Sequence, residues 1–202
     1  MERPPPWTDE ELLDRFRRGQ RDAFGDLVRR YEGELFGYLR RYLGDRELAA
    51  DVFQNTFLLV YSKAHQFETG RSFRPWLYTI ATNQAIDAMR REGRHQAVRL
   101  DESSEAGDND EGAQLARYLG SDAPGPLDQV EDAERRQIVR DSIELLPDFL
   151  KQVVVLTFYQ GLKQSEIGAI LGIPIGTVKS RTHTALARLL QAWQDLPAFK
   201  ET

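Results

Sequence analysis

The chain has 202 residues, 41% of them apolar, enough to bury the cores of one large domain or two small ones. Cysteine is absent, which excludes disulfides, thiol catalysis and cysteine-ligated zinc or iron–sulfur centres. The net charge of −5 hides an uneven distribution: residues 101–134 hold one basic and eleven acidic side chains, residues 1–100 seventeen and fifteen, and residues 135–202 nine and six. Two mildly basic parts therefore flank an acidic middle, and each could meet a polyanion despite the overall sign. No apolar run approaches the roughly 20 residues of a membrane span. The opening MERPPPWTDEELL shows neither a basic leader nor an apolar signal core, so a cytoplasmic location without membrane insertion is expected.

Thr8, with Glu11 three positions on, forms a capping box for a short helix lined by Leu12, Leu13 and Phe16 and ended at Gly19. A longer helical stripe follows through Phe24, Leu27, Val28, Tyr31, Leu35, Tyr38, Leu39, Tyr42 and Leu43 up to Gly44. Asp45 caps the next helix, about Arg46 to Ala64. That helix gathers Leu48, Val52, Phe53, Phe57, Val60 and Tyr61 on one side and Glu47, Asp51, Gln54 and Asn55 on the other. The stretch Phe67 to Arg74, FETGRSFR, breaks the period. A fourth helix, PWLYTIATNQAIDAMRRE, buries Leu77, Ile80, Ala81, Ala85 and Ala88 and shows Thr79, Asn83, Asp87 and Arg90 on a polar face that ends in Arg90, Arg91 and Arg94.

The period is lost from about Gly93 to Asp128, where DESSEAGDNDEG and SDAPGP read as a flexible acidic linker, with a brief apolar cluster at Leu115, Tyr118 and Leu119. Helix resumes near Gln129 with Ile138, Val139, Ile143 and Leu146, and Pro147 opens another, DFLKQVVVLTFYQ. The stretch from Gly161 to Leu190 then reads as a helix-turn-helix. Ile167, Ile170 and Leu171 line its first helix, Gly172 and Pro174 make the break, and Val178, Ala185 and Leu189 line its second. Gly168 falls where the two helices approach. The outer face of the second helix carries Thr177, Arg181, Thr184 and Arg188 at i, i+4, i+7 and i+11, flanked by Lys179, Ser180 and His183, a face suited to a major groove. An ordinary solvated hairpin would share the polar face but not the break chemistry and the small residue in the same window.

The expected fold is all-α: a helical domain over 1–94, an acidic linker over 95–128, and a second helical domain over 129–202. His65, His95 and His183 are isolated, and no glycine-rich loop follows a strand. No metal, cofactor, small-molecule substrate or enzymatic activity is therefore expected.

ADVFQNTF, then FRPWLYTIATNQAIDAMRR, then the linker, then LLPDFLKQVVVLTFYQGLKQSEIGAILGIPIGTVKSRTHTALARL, in that order, resembles the extracytoplasmic-function branch of the bacterial sigma-70 family. The resemblance covers about Phe24 to Arg94 and Gln129 to Leu190. It implies a promoter-specificity subunit that binds core RNA polymerase and promoter DNA, in a branch where control by an anti-sigma factor is common. Glu47, Asp51, Gln54 and Asn55 would then face the polymerase, although a solvated helix side would look the same. Arg71, Phe73, Arg74, Asn83, Asp87, Arg90 and Arg91 would meet the minus-ten element, where an unstacked base needs a pocket and single-stranded phosphate needs cations. Phe73 and Trp76 also suit a plain core. Thr177, Lys179, Ser180, Arg181, His183, Thr184 and Arg188 would meet the upstream element, with Arg181 the candidate for guanine. Thr79 and Thr82 stand where relatives commonly carry arginine, Thr182 and Thr184 replace a usual leucine and arginine, and Lys163 replaces a Ser or Thr cap. The competing function is a stand-alone helix-turn-helix regulator binding an operator. The second basic face and the long linker argue against it.

Overall fold

The computed structural model describes residues 7–68, 70–93 and 129–194, and every element in them is helical. The acidic linker, its Leu115–Tyr118–Leu119 cluster and Arg94 lie outside the described residues.

The first domain runs α1 (Asp9–Arg17), α2 (Arg21–Leu43), α3 (Arg46–Lys63), one 3-10 turn (Ala64–Gln66) and α4 (Phe73–Arg91). Thr8 caps α1 reciprocally: Glu11 N donates to Thr8 Oγ1 and Thr8 N to Glu11 Oε2. Gly44, at φ +73°, ends α2 in the left-handed conformation, and Asp45 turns the chain into α3 by accepting from Glu47 N and Leu48 N. The core is aliphatic and phenolic together: Leu27, Leu35, Leu39, Leu77 and Ala81 enclose Tyr38, Tyr42 and Tyr78. Buried phenols need partners. Tyr38 finds one in Thr82, their oxygens 2.8 Å apart, and the Tyr78 hydroxyl donates to Glu34.

Helix α4 begins two residues before the expected proline, at Phe73. Pro75 sits in its first turn, where a missing N–H leaves no ladder bond unmade. Tyr61, expected on the buried stripe of α3, is about half exposed while still packing its ring on Phe16 and Phe24.

The second domain runs α5 (Gln129–Glu144), α6 (Asp148–Val154), a π-helical turn (Val155–Tyr159), α7 (Gln164–Leu171) and α8 (Ile175–Gln194). DFLKQVVVLTFYQ is therefore not one uniform helix: its second half widens, and Gln160 N donates to Val155 O, five residues back. Lys163 is extended and offers no acceptor from its side chain. Glu166 reaches back instead to accept from Lys163 N at 2.8 Å, supplying half of a capping box. Gly172 ends α7 at φ +66°, and Ile173 N closes the turn on Gly168 O. A side chain at Gly168 would stand 3.0 Å from the Ile173 carbonyl and in ordinary contact with Ile175 and Val178, so the tightest neighbour is the turn itself rather than the second helix. Val139, Ile143, Leu150, Val153, Ile167, Val178, Ala185, Leu189 and Trp193 make the core, and Trp193 Nε1 donates to Ser142 Oγ across it.

Candidate nucleic-acid interface

Three polar faces stand out, each set by helical period. On α3, Glu47, Asp51, Gln54 and Asn55 are all exposed because Ala49, Val52, Thr56 and Val60 turn inward. Leu58 lies on the same outward stripe and is 67% exposed, an apolar side chain in an acidic and amide surround. Sequence reading passed over it among so many apolar neighbours. Its spacing from Asp51 and Asn55 was the available signal. Beside this face a recess of about 160 Å³ opens, lined by Leu48, Val52 and Ala88 together with Asp51, Asn55, Arg91 and Glu92.

The second face belongs to the loop before α4 and to α4. Arg71 is exposed and pairs with Glu68 at 2.7 Å. Arg74 is held more firmly: its Nε and Nη2 donate to Glu34 Oε1 at 3.0 and 2.6 Å, and its guanidinium lies 5.6 Å from the Tyr78 ring. Burial disfavours the charge on Arg74, but the Glu34 carboxylate outweighs it and holds the group above its ordinary value. Burial, then the bond to Glu34, raises the Tyr78 phenol. Asn83, Asp87, Arg90 and Arg91 are exposed along α4, with Arg90 3.8 Å from Asp87 and Arg91 Nε donating to the Asp87 carbonyl.

Phe73 is a correction. Its side chain is 0% exposed, packed on Tyr31, Phe67 and Trp76, so its ring is a core group and offers no stacking surface to a base. Thr82, which stands where relatives commonly carry arginine, faces inward. Its hydroxyl is buried against Tyr38, so the position is an interior one. Thr79 turns its hydroxyl back to the Pro75 carbonyl.

The third face is on α8. Lys179 and Arg188 are exposed, and Thr177, Ser180, Arg181, His183 and Thr184 are partly so. Ser180, Thr182 and Thr184 donate their hydroxyl protons to the carbonyls of Thr177, Val178 and Ser180, which leaves oxygen lone pairs outward. Arg181 is not simply displayed, because its guanidinium lies 5.4 Å from the Phe149 ring of α6. Reaching a base edge means leaving that ring, a cost of about 0.5–1 kcal/mol at an exposed site. Among the described residues no group of His, Asp and Glu is placed to hold a metal, and no helix is long and apolar enough to cross a membrane.

Comparison with known proteins shows the family. Residues 27–95 match sigma-70 region 2 and residues 143–190 match sigma-70, region 4. The ECF RNA polymerase sigma factor SigW of Bacillus subtilis is 33% identical over 187 residues, 93% of this chain and 97% of that protein. The chain is a sigma factor of the sigma-70 family, in its extracytoplasmic-function branch. The ECF sigma-E factor of Haemophilus influenzae is likewise 33% identical, over 88% of this chain and 91% of that one. Among solved structures, CnrH in complex with the cytosolic domain of CnrY is similar with a TM-score of 0.62 and 26% identity, covering 91% of this chain and 95% of that one. As a sigma factor the protein binds core RNA polymerase, directs it to promoter DNA and performs no catalysis of its own. Membership decides against the stand-alone regulator.

Proposed function

We propose that the work is divided among the three faces. Residues 1–94 carry polymerase binding through Glu47, Asp51, Gln54 and Asn55 on α3, and minus-ten recognition through Arg71, Arg74, Asn83, Asp87, Arg90 and Arg91. Residues 129–202 carry upstream recognition through Thr177, Lys179, Ser180, Arg181, His183, Thr184 and Arg188, and 95–128 tether the two. The observation that carries this division is chemical: the Glu47–Asp51–Gln54–Asn55 face of α3 is acidic and amide with one exposed leucine, whereas α4 turns Arg90 and Arg91 outward and α8 turns Lys179 and Arg188 outward. A carboxylate face repels phosphate and suits a protein partner. A basic or hydroxyl face suits DNA.

Leu58 supplies the apolar anchor that an otherwise polar contact lacks. CnrH was solved with the cytosolic domain of CnrY bound, and by analogy this sigma factor takes an anti-sigma protein as an alternative partner in the cytoplasm.

Reconstitution with core polymerase tests the division. Asp51→Ala together with Leu58→Ala is expected to weaken assembly at least tenfold while the free sigma factor keeps its helicity. Unchanged assembly would remove α3 from the polymerase surface.

A further inference from the structure

The loop between the 3-10 turn and α4 is held at both ends by one other helix, α1. Ser72 precedes α4 in an extended conformation and makes no capping bond of its own. The first N–H of the helix, that of Phe73, donates instead to Glu10 Oε1 at 2.7 Å, from a residue sixty-three positions earlier. A carboxylate at this end also suits the helix dipole. At the other foot of the loop, Arg17 Nη1 and Nη2 donate to the Phe67 and His65 carbonyls, each at 3.4 Å.

Between these feet, Arg71 N closes a turn on Glu68 O, and Glu68, Arg71 and Ser72 are exposed. The buried rings of Phe67 and Phe73 meet underneath, 6.2 Å apart. Helix α1 is itself fixed: Leu12 and Leu13 are buried, Asp9 pairs with Arg30 and accepts from Tyr31 Oη, and Arg30 Nη2 donates to the Trp7 carbonyl.

We propose that Glu10 and Arg17 are positioning residues for promoter selection: through them α1 sets the conformation of the arch that carries Glu68, Arg71 and Ser72, and with it the discrimination of minus-ten sequence. The inference rests on the reading of this loop as part of the minus-ten surface. An exposed loop of this length, left to itself, would sample many conformations and lose entropy on binding DNA. Holding both feet before DNA arrives removes part of that loss and limits which base geometries the arch accepts. Neither residue has to touch DNA.

The test uses the full chain with core polymerase. The probe is the single-stranded minus-ten sequence that wild-type holoenzyme enriches from random oligonucleotides, compared with single-base variants of it. Glu10→Ala with Arg17→Ala is expected to keep assembly and upstream-element binding within about twofold of wild type, while discrimination among the minus-ten oligonucleotides falls at least tenfold. Glu10→Gln, whose amide oxygen still accepts from Phe73 N, is expected to stay near wild type. Amide exchange in the single Glu10→Ala variant should rise over 67–73 and not over the rest of α4. Unchanged discrimination in the double variant, or exchange raised evenly along α4, overturns the inference. Arg71→Ala with Asn83→Ala separates the two levels: if this pair also leaves discrimination intact, the minus-ten reading fails, whereas if it abolishes discrimination and the α1 variants do not, only the role of α1 falls.

Discussion

The two domains hold the surfaces proposed to meet DNA by different means. In the first, the surface is tied down by polar bonds between residues far apart in sequence: Arg74 and Tyr78 to Glu34, Phe73 N to Glu10, and Tyr38 to Thr82, spanning 40 to 63 positions. In the second, α8 is seated by an apolar stripe, Val178, Ala185, Leu189 and Trp193, and its polar face needs only helical period to appear. A surface held by buried donors answers to protonation. One held by apolar packing answers to shape.

Alkaline pH gives the largest expected contrast. Burial raises the phenols of Tyr31, Tyr38 and Tyr78, with Asp9 reinforcing Tyr31 and Glu34 reinforcing Tyr78, while the bond to Thr82 partly offsets the shift at Tyr38. The folded state therefore keeps protons that the unfolded chain releases near pH 10. Their contribution is complete below that pH and is lost as pH rises through it, at about 1.4 kcal/mol per pH unit for each phenol. Tyr159 is the single tyrosine described in the second domain. Above about pH 10.5, helicity should be lost together with the appearance of tyrosinate absorbance, and amide exchange should place that loss in the first domain first. Simultaneous loss in both domains would end the distinction.

The same difference explains what the sequence let one read. The helix-turn-helix was legible because its information is local: a left-handed glycine, a proline at a helix start and two apolar stripes. The α3 face was legible for the same reason. Phe73 was misplaced because Ser72, the N-cap residue before it, makes no capping bond, and the first N–H of the helix is met by Glu10 on another helix instead. That Thr82, where relatives commonly carry arginine, bonds a phenol of α2 in the interior is a contact between distant residues that helical period cannot report. The π turn at Val155–Tyr159 also left no mark, as its residues are ordinary apolar ones.

Substituting Arg181 sharpens the comparison at the second domain. Arg181→Ala removes the candidate guanine contact and the stack on Phe149, and discrimination at the upstream element should fall by about 1–3 kcal/mol, roughly 5- to 150-fold in competition binding. Phe149→Leu keeps the cation but removes the ring. It should alter affinity by less than the loss of Arg181, because the ring only parks the guanidinium. If Phe149→Leu costs as much, Arg181 acts through the domain core and not through DNA.

The smallest effect is expected where the first domain behaves least like itself. Glu68 and Arg71 form an ion pair with side chains 66% and 70% exposed, and such pairs are worth about 0–1 kcal/mol and are screened by salt. Glu68→Gln should therefore leave the thermal midpoint within about 2 °C. It also frees a cation on the arch, so binding of the single-stranded minus-ten oligonucleotide should tighten about two- to fivefold at low salt and revert as salt is raised. Glu34→Gln is the counterpart, because Glu34 Oε1 accepts from Arg74 twice and from Tyr78 once. That change should lower the midpoint more than Glu68→Gln does and should not tighten binding, since Arg74 and Tyr78 keep only a neutral amide oxygen in place of the carboxylate that holds them. Equal destabilisation by the two would mean that the exposed pair is as structural as the half-buried one, and that the arch depends on its own ion pair rather than on the helices beneath it.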